Sequence, residues 1–440
     1  MRARLLLSLA LLSAADAVYV ALTRPLVGVD AFGVGALVLL ATAESLAFLP
    51  AFAVASLSGV LGKRRVAMLA AVTAPGLLLV LPPRDLVSAL IGGALYSFST
   101  ATVYNLAVAE TLEDREQALR RYALASLGMS LGWGVGSSAA WPLYYALGPS
   151  GTAAALLSLA ASATALGVGC GERSDLDAIE AMKHPFRTLG FLLPVAAAGS
   201  ALHTVGMSAY GVGLDRALEL LLASERGGRM LYGLFRGGLP MLLEAALRLR
   251  SSKLVEKFGG ARLLLASVWL STLLYGLLPL LPAHAVVAAW FAVVIAFTLY
   301  DMALYALVAS RVDGLESAAA GALSLASGMG NLAVAALEGW LAVQAVYVLA
   351  TTTLAAAATG AAALGARRVH SKPRLLPMAR VKGRKGVETV AAAILPSKRM
   401  DGRTRAISCT MVRNYRRSSA PTGPKSARPS PEPDLEGDFA

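Results

Sequence analysis

The chain has 440 residues, 56% of them hydrophobic and 15% charged, with a formal net charge of +13 and a mean hydropathy of +0.62. A soluble domain of this size needs many more charged residues to cover its surface, so the composition excludes an ordinary water-soluble fold. Two cysteines, Cys170 and Cys409, give no disulfide framework, and the four histidines form no cluster with metal-ligand spacing. No GxxxxGK[ST] loop is present for ATP, and no nucleophile–base pair stands out. The expectation is a membrane protein with no cofactor, no metal and no enzymatic activity.

Apolar spans follow one another along the chain at 5–22, 32–57, 66–81, 86–109, 122–147 and 151–168, and again at 189–212, 230–247, 263–281, 285–309, 318–341 and 343–364. Most carry the roughly 17–25 residues that cross a bilayer core at about 1.5 Å per residue. The third is short, and the break between the last two is poorly marked. The first span also resembles a cleavable signal peptide, with Arg2 and Arg4 before an apolar run that ends Ala15-Asp16-Ala17. Against cleavage, the second set opens with an equivalent span, and removal of the first would leave an unmatched five.

Part of the second set repeats the first. Residues 104–126 read YNLAVAETLEDREQALRRYALAS, and residues 305–327 read YALVASRVDGLESAAAGALSLAS. Each copy joins the fourth and fifth span of its own set. A duplicated six-span unit is how many secondary transporters are built, with the substrate path between the halves. The expected fold class is therefore an all-α membrane protein of about twelve transmembrane helices in two pseudo-symmetric six-helix bundles. The expected division is an N-terminal bundle over 1–168, a cytoplasmic loop over 169–188, a C-terminal bundle over 189–365 and a basic tail over 366–440.

Charge sets the expected orientation. With the N-terminus inside, the cytoplasmic loops hold Lys63, Arg64 and Arg65; Arg115, Arg120 and Arg121; and Arg248, Arg250, Lys253, Lys257 and Arg262. The outer loops hold Arg24, Arg84, Arg216, Arg226 and Arg229, so the basic excess is inside. Loop 214–229 alternates leucines with charges and reads as a short helix on the outer surface. The tail carries 17 lysines and arginines against 6 acidic residues, which is +11 of the total +13. It reads as disordered and cytoplasmic, either solvated or held against anionic lipid headgroups; nucleic acid is not an expected partner. Both termini, on this reading, lie in the cytoplasm and the protein in the plasma membrane.

Two loops permit a family comparison. After the eighth span come Glu256, Lys257, Gly259 and Arg262, and after the second come Gly62, Lys63, Arg64 and Arg65. Over about residues 1–368 the chain resembles the major facilitator superfamily, whose members carry a cytoplasmic motif of the form Gly-x-x-x-Asp-Arg-x-Gly-Arg-Arg at both places. The second copy matches better; the first has Gly59 at the acid position. The resemblance implies a latch on the cytoplasmic face, where basic groups meet carboxylates and helix ends. The alternative is plain positive-inside loops. In the fifth span Gly128, Gly132 and Gly136 stand four apart, which lets helix backbones approach closely in lipid. Similar spacing marks some antiporters of the family, but Trp133 replaces the proline that usually follows the central glycine.

Polar residues inside the spans are the guide to a transport path, because a charge near the bilayer centre costs roughly 2.5–3.5 kcal/mol on insertion scales. They are Asp16, Glu44 and Asn105 in the first half, and His203, Arg236, Glu244, Asp301, Asn331 and Glu338 in the second. In the family resembled, the spans that carry them line the central cavity. Asp16 is the first choice for a coupling site, one turn before Tyr19, since a carboxylate in a low-dielectric cavity can pick up and release protons. Its alternative is a structural ion pair, for instance with Arg236. Arg236 binds an anionic substrate or neutralises Glu244 or Asp16. Glu338 is near an outer end and reaches water. Tyr19, Tyr104, Tyr300 and Tyr305 offer hydroxyls and ring faces, or anchor span ends at the interface.

The expected function is secondary active transport of a small solute by alternating access, coupled to protons or to a substrate gradient. The alternative is a non-transporting membrane sensor or scaffold that signals through the basic tail.

Overall fold

The computed structural model describes residues 2–113, 117–167, 178–204, 206, 214, 231, 233–312 and 316–338. The chain divides into two units, Met1–Arg374 and Leu375–Ala440, and every described residue belongs to the first. The expected twelfth span, the tail, the loop helix at 215–229, Cys170 and Cys409 lie outside the described residues.

Every regular element among the described residues is helical. Among the described residues six stretches are long and apolar enough to cross a membrane, namely Ala3–Val27, Gly35–Leu61, Leu86–Leu112, Ala118–Leu166, Gly260–Leu277 and His284–Ala309. A bent pair, Ile179–Leu189 with Leu192–Thr204, makes a seventh. The chain is thus an integral, multi-pass membrane protein.

Helix α1 (Arg2–Thr23) runs without a stop into a π-helical turn, Arg24–Ala31. Helices α2 (Val34–Leu46), α3 (Phe48–Ser56) and α4 (Ser58–Leu61) form the second crossing. Gly62, at φ 88°, turns the chain into α5 (Lys63–Ala71). The third expected span is not one helix: α5 ends early, a 3-10 turn covers Ala74–Gly76, and α6 is only Leu77–Val80. Pro75 at the start of that turn removes a backbone donor, which breaks the helix. The reward for the break is contact, because Gly76 and Gly92 let this segment press on α7 (Leu86–Leu112) at backbone distance. Asp85 caps α7 through Ser88 N (2.8 Å), and the Ser88 bonds hold its carboxyl below the usual carboxylate range.

Helix α8 (Ala118–Gly167) has 50 residues, about 75 Å if straight, more than twice a bilayer core. It is in fact two helices. Gly148 sits at φ 68°, and Pro149 starts the next helix where its missing N–H costs nothing. The reversal shows in what α1 touches. Gly128, Gly132 and Gly136 meet the carbonyls of Leu6, Ala10 and Ala14 in parallel order. Beyond the break the order runs backwards: Ala153 and Leu156 share a core cluster with Leu22, and Ser8 donates to Ala163 O (2.7 Å).

Helix α9 (Ala178–Leu189) lies in the segment expected to be a loop, and it meets α10 (Leu192–Thr204) at 79°. A π turn, Leu234–Gly238, opens α11 (Leu239–Phe258). This helix continues eleven residues beyond the expected end at 247, carrying Arg248, Arg250 and Lys253 out of the expected loop. Arginine and lysine are good helix formers, and Gly259 at φ 80° is the actual stop. Helices α12 (Gly260–Leu277), α13 (Ala283–Ala309) and α14 (Glu316–Glu338) complete the described elements.

Two large apolar cores form. One gathers Val18, Leu22, Leu40, Leu77, Tyr96, Trp141 and Leu156 from the first half. The other is built almost wholly from the second half, around Leu192, Leu202, Val268, Trp290, Val293 and Tyr300. A smaller cluster joins them: Val108, Leu112 and Tyr122 pack with Tyr305, Ala309 and Ala320.

Candidate functional site

In the first half, Glu44 of α2 receives two groups from α1 and its extension. Tyr19 donates its hydroxyl to Oε1 (2.7 Å), and Arg24 Nη2 pairs with Oε2 (2.5 Å). The Tyr19 ring lies 4.7 Å from that of Tyr96 on α7. Arg24 was expected in an outer loop; the π turn that prolongs α1 instead returns it to a carboxylate inside the bundle. Asp16 lies one turn before Tyr19, partly exposed between buried Ala15 and Ala17. Among the described residues it makes no hydrogen bond and no ion pair, so the expected pairing with Arg236 does not occur. Among the described residues the buried Tyr96 hydroxyl and Arg24 Nη1 have no partner. Unmade bonds of this kind cost about 1–3 kcal/mol each, so the cluster has open valences for water or a solute.

In the second half a second charge cluster forms on α11 and α13. Arg248 is 3% exposed; its Nε donates to Glu244 Oε1 (2.7 Å) and its Nη1 to Asp301 Oδ2 (2.6 Å). Glu244 is neutralised by Arg248, one turn along its own helix, and not by Arg236. Arg236 sits in the π turn, where its carbonyl accepts from Trp290 Nε1 (3.0 Å).

Several hydrogen bonds between the halves lie near these charges. Tyr122 of α8 donates to Asp301 Oδ2 (2.8 Å). Its ring stacks on Tyr305 of α13, with centroids 3.5 Å apart and planes 4° from parallel. The Tyr305 hydroxyl bonds Thr111 Oγ1 of α7 (2.5 Å). Ser324 of α14 donates to Asn105 Oδ1 (2.7 Å). The repeated segments noticed in the sequence thus supply both sides of this junction. Among the described residues the ion pairs do not cross it. Arg24–Glu44 and Lys63–Glu113 lie within the first half, and Glu244–Arg248–Asp301 within the second.

The other expected residues form a separate group. His203 Nδ1 bonds the Tyr275 hydroxyl (2.8 Å), and its ring lies against Phe297 and Tyr300, while its buried Nε2 has no partner among the described residues. Asn331 Oδ1 accepts from Ser200 (2.9 Å) and Thr204 (2.5 Å), tying α14 to α10. Tyr300 donates to Val195 O (3.1 Å). Glu338 ends α14, and its side chain lies outside the described residues.

The two loop motifs differ from the expected ranking. Lys63 is fully buried and bonds Glu113, beyond the end of α7, at 2.7 Å. The carboxylate missing at Gly59 is thus replaced by one 50 residues along the chain. Arg64 and Arg65 are exposed. In the better-matching copy Glu256, Lys257 and Arg262 are exposed, and among the described residues they form no ion pair; Lys257 lies 5.2 Å from the Phe258 ring.

This helical, multi-pass fold has a counterpart among solved structures. It resembles the human organic anion transporter MFSD10 (TETRAN), with a TM-score of 0.61 over 82% of this chain and 98% of that one. The sequences are 16% identical. No family model matches the chain, and no curated protein matches it by sequence.

Proposed function

We propose that the chain is a secondary active transporter of twelve spans in two pseudo-symmetric bundles. It moves a small solute by alternating access. The observation that carries this reading is the character of the junction between the halves. Its hydrogen bonds, Tyr122–Asp301, Thr111–Tyr305 and Asn105–Ser324, each join a neutral group to its partner. The two neutral bonds contribute about 1 kcal/mol net apiece, and the one to the Asp301 carboxylate about 1.5–3 kcal/mol. Separating a buried ion pair would instead cost about 3–5 kcal/mol. The ion pairs named above stay inside one half or the other, so the halves part without stranding a charge. That is what a repeated opening and closing requires.

Asp16 is the coupling residue in this reading. It is an ionisable group with no hydrogen bond or ion pair among the described residues, one turn from the Tyr19–Glu44–Arg24 cluster, and it takes the proton that accompanies the solute. With the N-terminus inside, the end that carries Gly62, Glu113 and Gly259 faces the cytoplasm, and the Tyr122–Tyr305 junction closes that side. The neighbour's name supplies organic anions as the first compounds to screen.

The test is a thermal-shift screen of the detergent-purified chain against organic anions, cations, metabolites and drugs across pH. A ligand at about 100 times its dissociation constant stabilises by roughly 2.7 kcal/mol. The reading expects a hit whose pH dependence disappears in Asp16→Asn, and whose uptake into proteoliposomes survives deletion of residues 366–440. A hit whose uptake is abolished by that deletion, or is pH-dependent to the same degree in Asp16→Asn, contradicts it.

A further inference from the structure

Helix α9 is the least explained element of the chain. Its successor α10 is an apolar helix of the bundle, and the two meet at 79°, so α9 lies close to the membrane plane where α10 enters it. Its inner side, with Ala181 and Leu189 fully buried, packs on α3 and α4 of the first half and on α14 of the second. The outer side is not the charged surface that water would select. Ile179 is 59% exposed and Phe186 47% exposed, two turns apart on one edge. The Phe186 ring makes an edge contact with Phe52 (5.6 Å). Lys183 and Arg187 are exposed on the adjoining edge, Lys183 without a partner among the described residues and Arg187 paired with Glu180. The neighbouring turn adds the exposed Arg64 and Arg65, which directly follow α4 and Gly62. An apolar edge beside a basic edge, on a helix continuous with a membrane span, matches a leaflet with anionic headgroups in both geometry and charge.

We propose that α9 is a phospholipid-recognition element. Ile179 and Phe186 enter the acyl boundary of the leaflet, while Lys183 and Arg187 bind the phosphate of an anionic headgroup. Because α9 rests on both halves at once, the lipid favours the arrangement in which both are docked against it. The proposal needs the chain to span a membrane, but not to transport anything.

The full-length chain, with Cys170→Ser and Cys409→Ser, is placed in nanodiscs with a fluorophore at Ile179→Cys. A second sample carries the label at Leu273→Cys, an outward position 59% exposed on α12. Both labels are expected to be quenched by acyl-brominated lipid and shielded from aqueous iodide. Native mass spectrometry with phosphatidylglycerol is expected to show binding about tenfold weaker in the double variant Lys183→Ala/Arg187→Ala. Phosphatidylcholine binding stays unchanged, and Lys183→Arg/Arg187→Lys restores the preference.

An Ile179 label open to iodide, with Leu273 quenched by lipid, overturns the proposal and leaves the membrane reading intact. An Ile179 label shielded from both quenchers means that protein covers the face, and also overturns it. A Leu273 label that brominated lipid does not reach defeats the membrane reading and the proposal together. Phosphatidylglycerol binding unchanged in the double alanine variant defeats the headgroup assignment.

Discussion

Tyr122 and Tyr305 stack ring on ring across the junction between the two halves, 3.5 Å apart and within 4° of parallel. Their hydroxyls point to different partners: Tyr122 to Asp301 in the other half, and Tyr305 to Thr111 in the other half. One aromatic pair therefore carries two reciprocal hydrogen bonds, and each can be removed separately.

Tyr305→Phe keeps the stack and removes the Thr111 bond. The expected loss is about 1 kcal/mol of stability, read from thermal unfolding in detergent. Tyr305→Ala also removes the ring and should lose about 3 kcal/mol. Equal losses in the two variants would mean that the stack contributes nothing.

Arg248 is buried and offsets two carboxylates, the buried Glu244 and the partly exposed Asp301. Arg248→Met strands both, and its unfolding free energy should fall by about 3–5 kcal/mol. The triple change Arg248→Met, Glu244→Gln and Asp301→Asn removes the charges together and should recover most of that. A triple variant as weak as the single one would show that shape, and not charge, is what Arg248 supplies.

The two loop motifs should respond oppositely to substitution. Lys63→Met leaves Glu113 without its buried partner and should cost about 2 kcal/mol. Glu256→Gln alters an exposed, unpaired carboxylate and should stay within about 0.5 kcal/mol of the parent. Chemical denaturation of the two variants side by side decides it; the reverse order would restore the ranking that the sequence motif suggests.

Glycine positions separate close packing from mere frequency. A Cβ on Gly132 would stand against the Ala10 carbonyl of α1, so Gly132→Ala should destabilise by about 1–3 kcal/mol. Gly276 on α12 faces open space, and Gly276→Ala should be neutral or stabilising by up to about 1 kcal/mol. Matching melting temperatures for the two would argue that α1 and α8 do not pack as described.

Much of this was legible in the sequence, and the part that was not has a physical cause. The apolar runs of α1, α7 and α13 announce themselves, because lipid demands length and hydropathy from a spanning helix. Asp16, Glu44, Glu244 and Asp301 stand out for the converse reason, as charges where lipid tolerates few. Hydropathy misled where basic residues stand near a helix end. Arg24 and Arg248 were assigned to loops, yet long side chains on continuing helices carry both charges into the bundle. For Arg248 a signal existed: Glu244 precedes it by four residues, the spacing that pairs on one helical face. For Arg24 none did, since its partner lies 20 residues away on another helix. The Tyr122–Asp301 bond spans 179 residues and has no local trace at all. The third span was misjudged because Pro75 and Gly76, read as ordinary members of an apolar run, break it.

The central claim is that the halves open at the Tyr122–Tyr305 junction as units, each keeping its own ion pairs. The most direct measurement is the spin-label distance between Arg120→Cys on α8 and Lys257→Cys on α11, in a background of Cys170→Ser and Cys409→Ser. The account predicts two distance populations, with Tyr305→Phe shifting weight to the longer one. A single distance, unmoved by Tyr305→Phe, by pH or by any ligand that stabilises the protein, would contradict it.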